Sequence, residues 1–198
     1  MSLESHPGRR VITDPTALRA LAHPLRIKLF GLVGREGGLT AAEAARHLGI
    51  SQALASHHLR QLAKYGYVER GPAGDNRERP WRITATSNRF AGDDSPEGWE
   101  SVELLDRHMA EQAAAQLADW QLRRADEDPG WSEHAGVDQS LLYLTLEEFA
   151  ELKTAWHAMV AERAAQRPLG DATKRPPGAV PVNFTLVAVP LRPTASGG

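Results

Sequence analysis

Apolar positions recur at helical spacing through much of the chain, and the breaks between them fall on capping and turn residues. Asp14-Pro15 opens a first helix, since Asp caps and Pro suits the first helical position; Leu18, Leu21 and Ala22 follow. His23-Pro24 interrupts and restarts it, because proline disfavours the α conformation in the residue before it. Leu25, Ile27, Leu29, Phe30 and Val33 then supply an apolar face. Gly34, Gly37 and Gly38 predict a loop. Thr40 and Glu43 have capping-box spacing and open a short helix through Leu48. Gly49 ends it, Ser51 caps a further helix to about Lys64, and Gly66 closes that one. Tyr67 to Arg70 and Trp81 to Thr84 read as the strands of a hairpin around a polar loop.

The second half is patterned differently. Residues 87–96 are rich in Gly, Asp, Ser and Pro and read as a linker. A long helix over 97–125 carries Trp99, Val102, Leu105, Met109, Leu117 and Trp120 at spacings of three and four. That spacing resembles a coiled coil, so these six residues are the expected dimerisation face. Residues 126–138 read as loop. Leu141 to Leu144 reads as a strand, and Thr145 with Glu148 caps a helix to about Gln166. Val182, Phe184, Leu186 and Ala188 alternate on one face of a last strand, 180–189.

Two apolar helices, a short helix, a tight turn, a second helix and a hairpin describe a winged helix-turn-helix. The expected fold is therefore mainly α with a β-wing. A tail, 1–13, precedes the winged helix-turn-helix domain, 14–86. The linker and the long dimerisation helix follow, and a small α/β unit, 139–191, ends the chain as a dimerisation or effector module. Within the second helix of the turn, Ala55, Leu59 and Leu62 face inward. Gln52, Ala53, Ser56, His57, Arg60 and Lys64 face outward. That face is polar and basic with a small inner part, which suits a helix lying in a major groove. His58 lies on the flank of the packed side and is expected to bond within the fold, and His23 to serve at a helix start.

Composition sharpens this picture in two places. Hydrophobic residues make up 41% and charged residues 24%, near the globular average. Net charge is only −2, yet residues 1–90 hold 14 Lys/Arg against 7 Asp/Glu, a surplus of +7; the remaining 9 Lys/Arg against 18 Asp/Glu give −9 after that point. A basic first half points to a polyanionic partner. There is no cysteine, which excludes disulfides, thiolate metal sites and a thiol nucleophile, and fits a reducing cytoplasm. No apolar run reaches membrane-spanning length, and Met1 to Arg10 lacks the apolar core of a signal peptide.

Three separated motifs carry a resemblance: Ala20-Leu21-Ala22-His23-Pro24-Leu25-Arg26, Ser51-Gln52-Ala53-Leu54-Ala55-Ser56-His57-His58-Leu59-Arg60, and Gly66-Tyr67-Val68-Glu69-Arg70 before the wing. In this order they resemble ArsR-type winged-helix transcriptional repressors, over roughly residues 14–86. The resemblance implies a homodimer on double-stranded operator DNA, with ligand binding changing DNA affinity. It places Gln52, Ala53, Ser56 and His57 on bases, and wing residues Arg77 and Arg79 on the DNA backbone or minor groove.

Relatives that sense metals leave two patterns to check. The short helix before the turn, Leu39 to Arg46, has no thiolate. Asp106-Arg107-His108 matches the first half of a second metal pattern, but Asp119 and Leu122 stand where its partners belong, so Asp106 and His108 read as a solvated stripe. No metal and no cofactor are expected. There is no phosphate loop, dinucleotide fingerprint or nucleophile elbow, so no enzyme is expected. The alternatives are a metal-responsive repressor using the Asp106/His108 region and a winged helix used as a protein-interaction module. A small organic effector would find an apolar pocket among Trp120, Trp131, Tyr143, Phe149, Trp156 and Phe184.

Overall fold

A computed structural model describes residues 9–72, 79–85, 87–168 and 171–192. Strand β1 (Arg9–Ile12) leads into α1 (Pro15–Leu21), whose cap is the Asp14 carboxylate accepting from the Thr16 amide at 3.0 Å. His23 caps α2 (Pro24–Glu36): its Nδ1 accepts from the Leu25 amide at 3.2 Å, the helix-start role expected of it. Thr40 and Glu43 form the full capping box of α3 (Ala41–Leu48). Gly49 then turns the chain at φ 65°, a backbone angle that favours glycine, into α4 (Gln52–Lys64), capped by Ser51. Strands β2 (Val68–Arg70) and β3 (Trp81–Ile83) pair antiparallel as the wing. Leu39 adds a one-residue bridge to Trp81, exchanging backbone hydrogen bonds of 3.0 and 2.7 Å, so the wing is rooted on the loop before α3.

One core holds these elements together. It contains Leu18 and Leu21 from α1, Leu29 and Val33 from α2, Leu59 and Leu62 from α4, and Tyr67 and Trp81 from the wing. The Tyr67 hydroxyl crosses it to donate to the Ala17 carbonyl at 2.8 Å, and burial pushes that hydroxyl's pKa up to about 12. The long helix α5 (Pro96–Arg123) packs on α1 and sends Leu105 into the same core, where it is fully buried. Its start is tight: a Cβ on Gly98 would lie 2.8 Å from the Asp93 carbonyl oxygen, so only glycine allows this approach.

The tail and the linker of the sequence reading are not plain connections. β1 lies in the first and β4 (Ser87–Phe90) in the second, and they pair in parallel with Ile12 opposite Phe90. A four-residue strand that pairs across most of the domain carries too little alternation to read from the sequence. A short helix α6 (Pro129–His134) interrupts the expected loop, capped by Asp128 with Pro129 at its first position.

Beyond it, α7 (Leu146–Gln166) is where its capping box puts it. The two flanking strands are not formed. Among the described residues, 141–144 and 180–189 carry no strand assignment and pair with no strand, so the expected α/β unit is not formed there.

The dimerisation face also needs correction. Leu105 belongs to the chain's own core and Val102 packs partly against it, because the first half of the stripe faces α1. Trp99 and Met109 are exposed, while Leu117 and Trp120 are half-buried. Leu105→Ala should therefore destabilise the fold itself by about 2–5 kcal/mol. Tyr67→Phe should cost about 1 kcal/mol. Denaturant melts of both variants across a range of protein concentrations check this; a Leu105→Ala loss confined to low concentration would place that side chain at a subunit interface instead.

Candidate nucleic-acid interface

α4 is held by one face and free on the other. Ala55, Leu59 and Leu62 are fully buried. Gln52, Ala53, His57, Arg60 and Lys64 are exposed and Ser56 is half-buried, so the structure brings together on one surface the six α4 residues read as outward-facing. Arg60 donates to the Ser56 hydroxyl at 3.0 Å, one turn back, which orders its guanidinium along the helix. The helix contains no acidic residue. Its free first-turn amides, its small Ala53 and its cations suit close approach to a phosphate-lined groove.

The wing flanks this surface. Arg70 stacks over the Trp81 ring at 3.9 Å and donates to the Arg79 carbonyl at 2.6 Å, which stiffens the described base of the hairpin. Arg79 is exposed there. Arg77 lies outside the described residues.

Arg10 is a residue that sequence reasoning missed. From β1 its guanidinium donates to the carbonyls of Tyr65, at 3.0 Å, and Gly66, and lies over the Tyr67 ring at 5.6 Å. It thus neutralises the carbonyl end of the recognition helix, where cations are favourable. Only the β1–β4 pairing, not the local sequence, brings it there.

Behind α4 sits a group of rings. His58 is 7% exposed, and its ring lies 4.7 Å from that of His23 and 5.2 Å from that of His57. Its Nδ1 is buried with no hydrogen-bond partner, so it packs where a bond was expected. Burial lowers the His58 pKa, and the nearby His23, Arg26 and His57 lower it further. Burial likewise lowers His23, followed by Arg26 and His108. On α5, His108 Nδ1 donates to the Ala22 carbonyl at 2.5 Å, so this ring ties α5 to the end of α1. Burial raises the pKa of Asp106, and Lys153 of α7 offsets part of that. Among the described residues no group of three His, Asp or Glu side chains is placed to hold a metal ion.

The six residues read as an effector pocket are not gathered into one site. Trp156 and Phe184 meet edge to face at 5.8 Å, but Tyr143 is fully exposed, and Trp131 and Phe184 are largely open. A different apolar hollow of about 220 Å³ lies where α1, α2, β4 and α5 meet, lined by Leu21, Ile27, Phe30, Asn88, Phe90 and Met109.

With this geometry in place, comparison with known proteins is informative. A family model described as a helix-turn-helix domain matches residues 21–70, the stretch from the end of α1 to the end of β2. Arsenic resistance transcriptional regulator ArsR1 of Pseudomonas putida is 32% identical over 84 residues, 41% of this chain and 62% of that protein. The "Probable mercury resistance operon repressor" of Streptomyces lividans is 49% identical over 57 residues, 28% of this chain and 45% of that protein. Residues 21–70 therefore form a helix-turn-helix domain, and part of the chain is similar to these two resistance regulators. The chain thus spans less than two thirds of either relative's length. Among solved structures, the transcriptional regulator Tm0710 of Thermotoga maritima has a TM-score of 0.31 and 16% identity, covering 74% of this chain and 88% of that one.

This helix-turn-helix domain carries a built-in acid sensitivity. Folding holds His58 and His23 below their ordinary pKa of 6.5, so the unfolded chain binds more protons in the range beneath that value. Their contribution is fully present above about pH 6.5 and is lost as pH falls toward the folded-state values. Thermal melts from about pH 7.5 to 5 should show this decline, and His58→Phe should flatten it. Parallel profiles for the two proteins would remove His58 as the cause.

Proposed function

We propose that the chain is a homodimeric, sequence-specific DNA-binding transcriptional regulator of the repressor type, acting in the cytoplasm. The observation that carries this reading is the outer face of α4. It presents Gln52, Ala53, Ser56, His57, Arg60 and Lys64, free of acids, from a helix whose other face is locked in the core. In this reading α4 enters the major groove. Gln52 offers an adenine its two amide atoms, Ser56 and His57 reach base edges or phosphate, and Arg60, Lys64, Arg77 and Arg79 follow the backbone. Two copies, joined through α5, put their α4 helices in successive major grooves about 34–36 Å apart.

The arsenic and mercury in the relatives' names are thiophilic elements. This chain has no cysteine, so a thiolate-held ion is not its signal. Among the described residues no third ligating side chain is placed with Asp106 and His108, which further disfavours that metal reading. A small apolar effector fits better. The hollow beside Phe30, Phe90 and Met109 touches both α1 and α5, so filling it would shift the helix-turn-helix against the long helix. Its volume, under the usual 300–1,000 Å³ of ligand sites, limits the guest to a compact molecule.

Selection from a randomised duplex pool should enrich a two-fold symmetric site, bound with a steep salt dependence from about 6–10 neutralised phosphates. Gln52→Ala should lose about 1–3 kcal/mol on that site and little on random DNA, relaxing base preference at one position in each half. Lys64→Ala should weaken binding to every sequence and reduce the salt slope by about one for each copy. Failure to enrich any site would reject the regulator reading. Equal loss on selected and random DNA for Gln52→Ala would reject that residue's role.

A further inference from the structure

We infer that residues 137–191 form a dimerisation module whose β-sheet exists only between two copies of the chain. The inference rests on the dimeric regulator proposed above and names where that dimer is held. Among the described residues every fully packed apolar side chain lies between Ile12 and Leu105. After Leu105 the apolar content does not fall, but it is open. Leu141 is 76% exposed, Tyr143 101%, Phe184 69% and Val187 70%. The chain exposes 14,292 Å², whereas a folded chain of 21.6 kDa exposes about 9,200 Å². The excess, about 5,100 Å² per copy, is more than the share an obligate interface takes from each partner, since such interfaces bury about 2,000–5,000 Å² summed over both.

The form of this surface points to strands. Residues 180–191 carry no helix, strand or turn assignment, and no proline stands from 182 to 189, so eight successive amides are available to join a ladder. Among the described residues they make no backbone hydrogen bond to another part of the chain. One face is apolar throughout, with Val182, Phe184, Leu186 and Ala188; the other begins with Asn183 and Thr185 and turns apolar at Val187, Val189 and Leu191, so both faces are apolar over the second half. A strand apolar on both sides belongs inside a covered sheet and does not suit an exposed edge. Leu141 to Leu144 is a second, shorter segment of the same kind.

The occupant is a second copy. One chain supplies two strand segments and α7, with its apolar Phe149, Leu152, Trp156 and Met159. A two-stranded sheet is marginal in water, while two copies give four strands and two helices to cover them. The last segment also lies beside the helix proposed to join the copies, since the Asn183 amide donates to the Gln116 side-chain oxygen of α5 at 2.7 Å. The surface therefore continues onto the half of α5 that does not pack on α1.

Full-length protein tests this through Leu186→Asp and Val187→Asp, on opposite faces. Both side chains are open in the single chain, 47% and 70% exposed, so neither change disturbs the core of the helix-turn-helix. Sedimentation equilibrium and hydrogen exchange are read together. The unmodified chain should be a dimer with slowly exchanging amides at 182–189. Each variant should dissociate about 100-fold more readily or worse, with those amides unprotected and the amides of α2 and α4 still protected. A monomeric unmodified chain, variants as dimeric as the parent, or unprotected 182–189 amides in the dimer would each overturn the inference. DNA binding separates this failure from that of the proposed function. A dimer with protected 182–189 amides that binds no DNA defeats the regulator reading alone. A DNA-binding dimer indifferent to both substitutions defeats the inference alone.

Discussion

The contact between α1 and α5 is the one on which the remaining architecture depends. Leu105 is drawn into a core that already holds Leu18 and Leu21, and His108 bonds the carbonyl at the end of α1. These contacts convert a helix that would otherwise lead away from the domain into part of its wall. The same core fixes α4 from behind through Leu59 and Leu62, and fixes the wing through Tyr67 and Trp81. The exposed face of α4 and the long helix are thus tied to a single packed body. A change at one side reaches the other through side chains with little room to adjust.

Sequence was most readable where local chemistry decides structure. Asp14, Thr40, Ser51 and Thr145 are short polar side chains that each satisfy amides at a helix start, and each does so in the structure. Periodicity likewise separated the buried and exposed sides of α4 residue by residue. What escaped were pairings between distant segments. Val11-Ile12 and Asn88-Arg89 have no alternation long enough to announce a parallel pair, so Arg10's grip on the end of α4 was invisible. Leu105 was visible as apolar but not as facing its own domain, because a stripe of spacing three and four is the same whether it meets α1 or another chain. The pocket expectation failed for a similar reason: aromatic side chains were identified, but their convergence depends on tertiary placement.

The C-terminal strands are the instructive case. Their pattern is strong, and the structure leaves them without strand pairing. An alternating apolar segment states that a strand is wanted without stating which chain supplies its neighbour. A disagreement between a clear local pattern and an open single-chain conformation is thus information about assembly, in the way that a local conflict elsewhere would suggest function or strain.

One consequence follows from the length of α5. Its 28 residues extend about 42 Å, and the part that packs on the domain is the first half, from the tight approach at Gly98 to His108. The second half projects as a boom. With two copies joined along or beyond that boom, as proposed, the distance between their α4 helices would be governed by the angle at which it leaves the domain near His108, and a swing of about 5° over the remaining 22 Å or so would move the far end by about 2 Å, set against a groove repeat of about 34 Å. In the proposed dimer, operator spacing would then be set by the part of α5 around His108, while base identity would be read by α4. The two halves of DNA recognition would be encoded some forty residues apart in the chain, free to change independently.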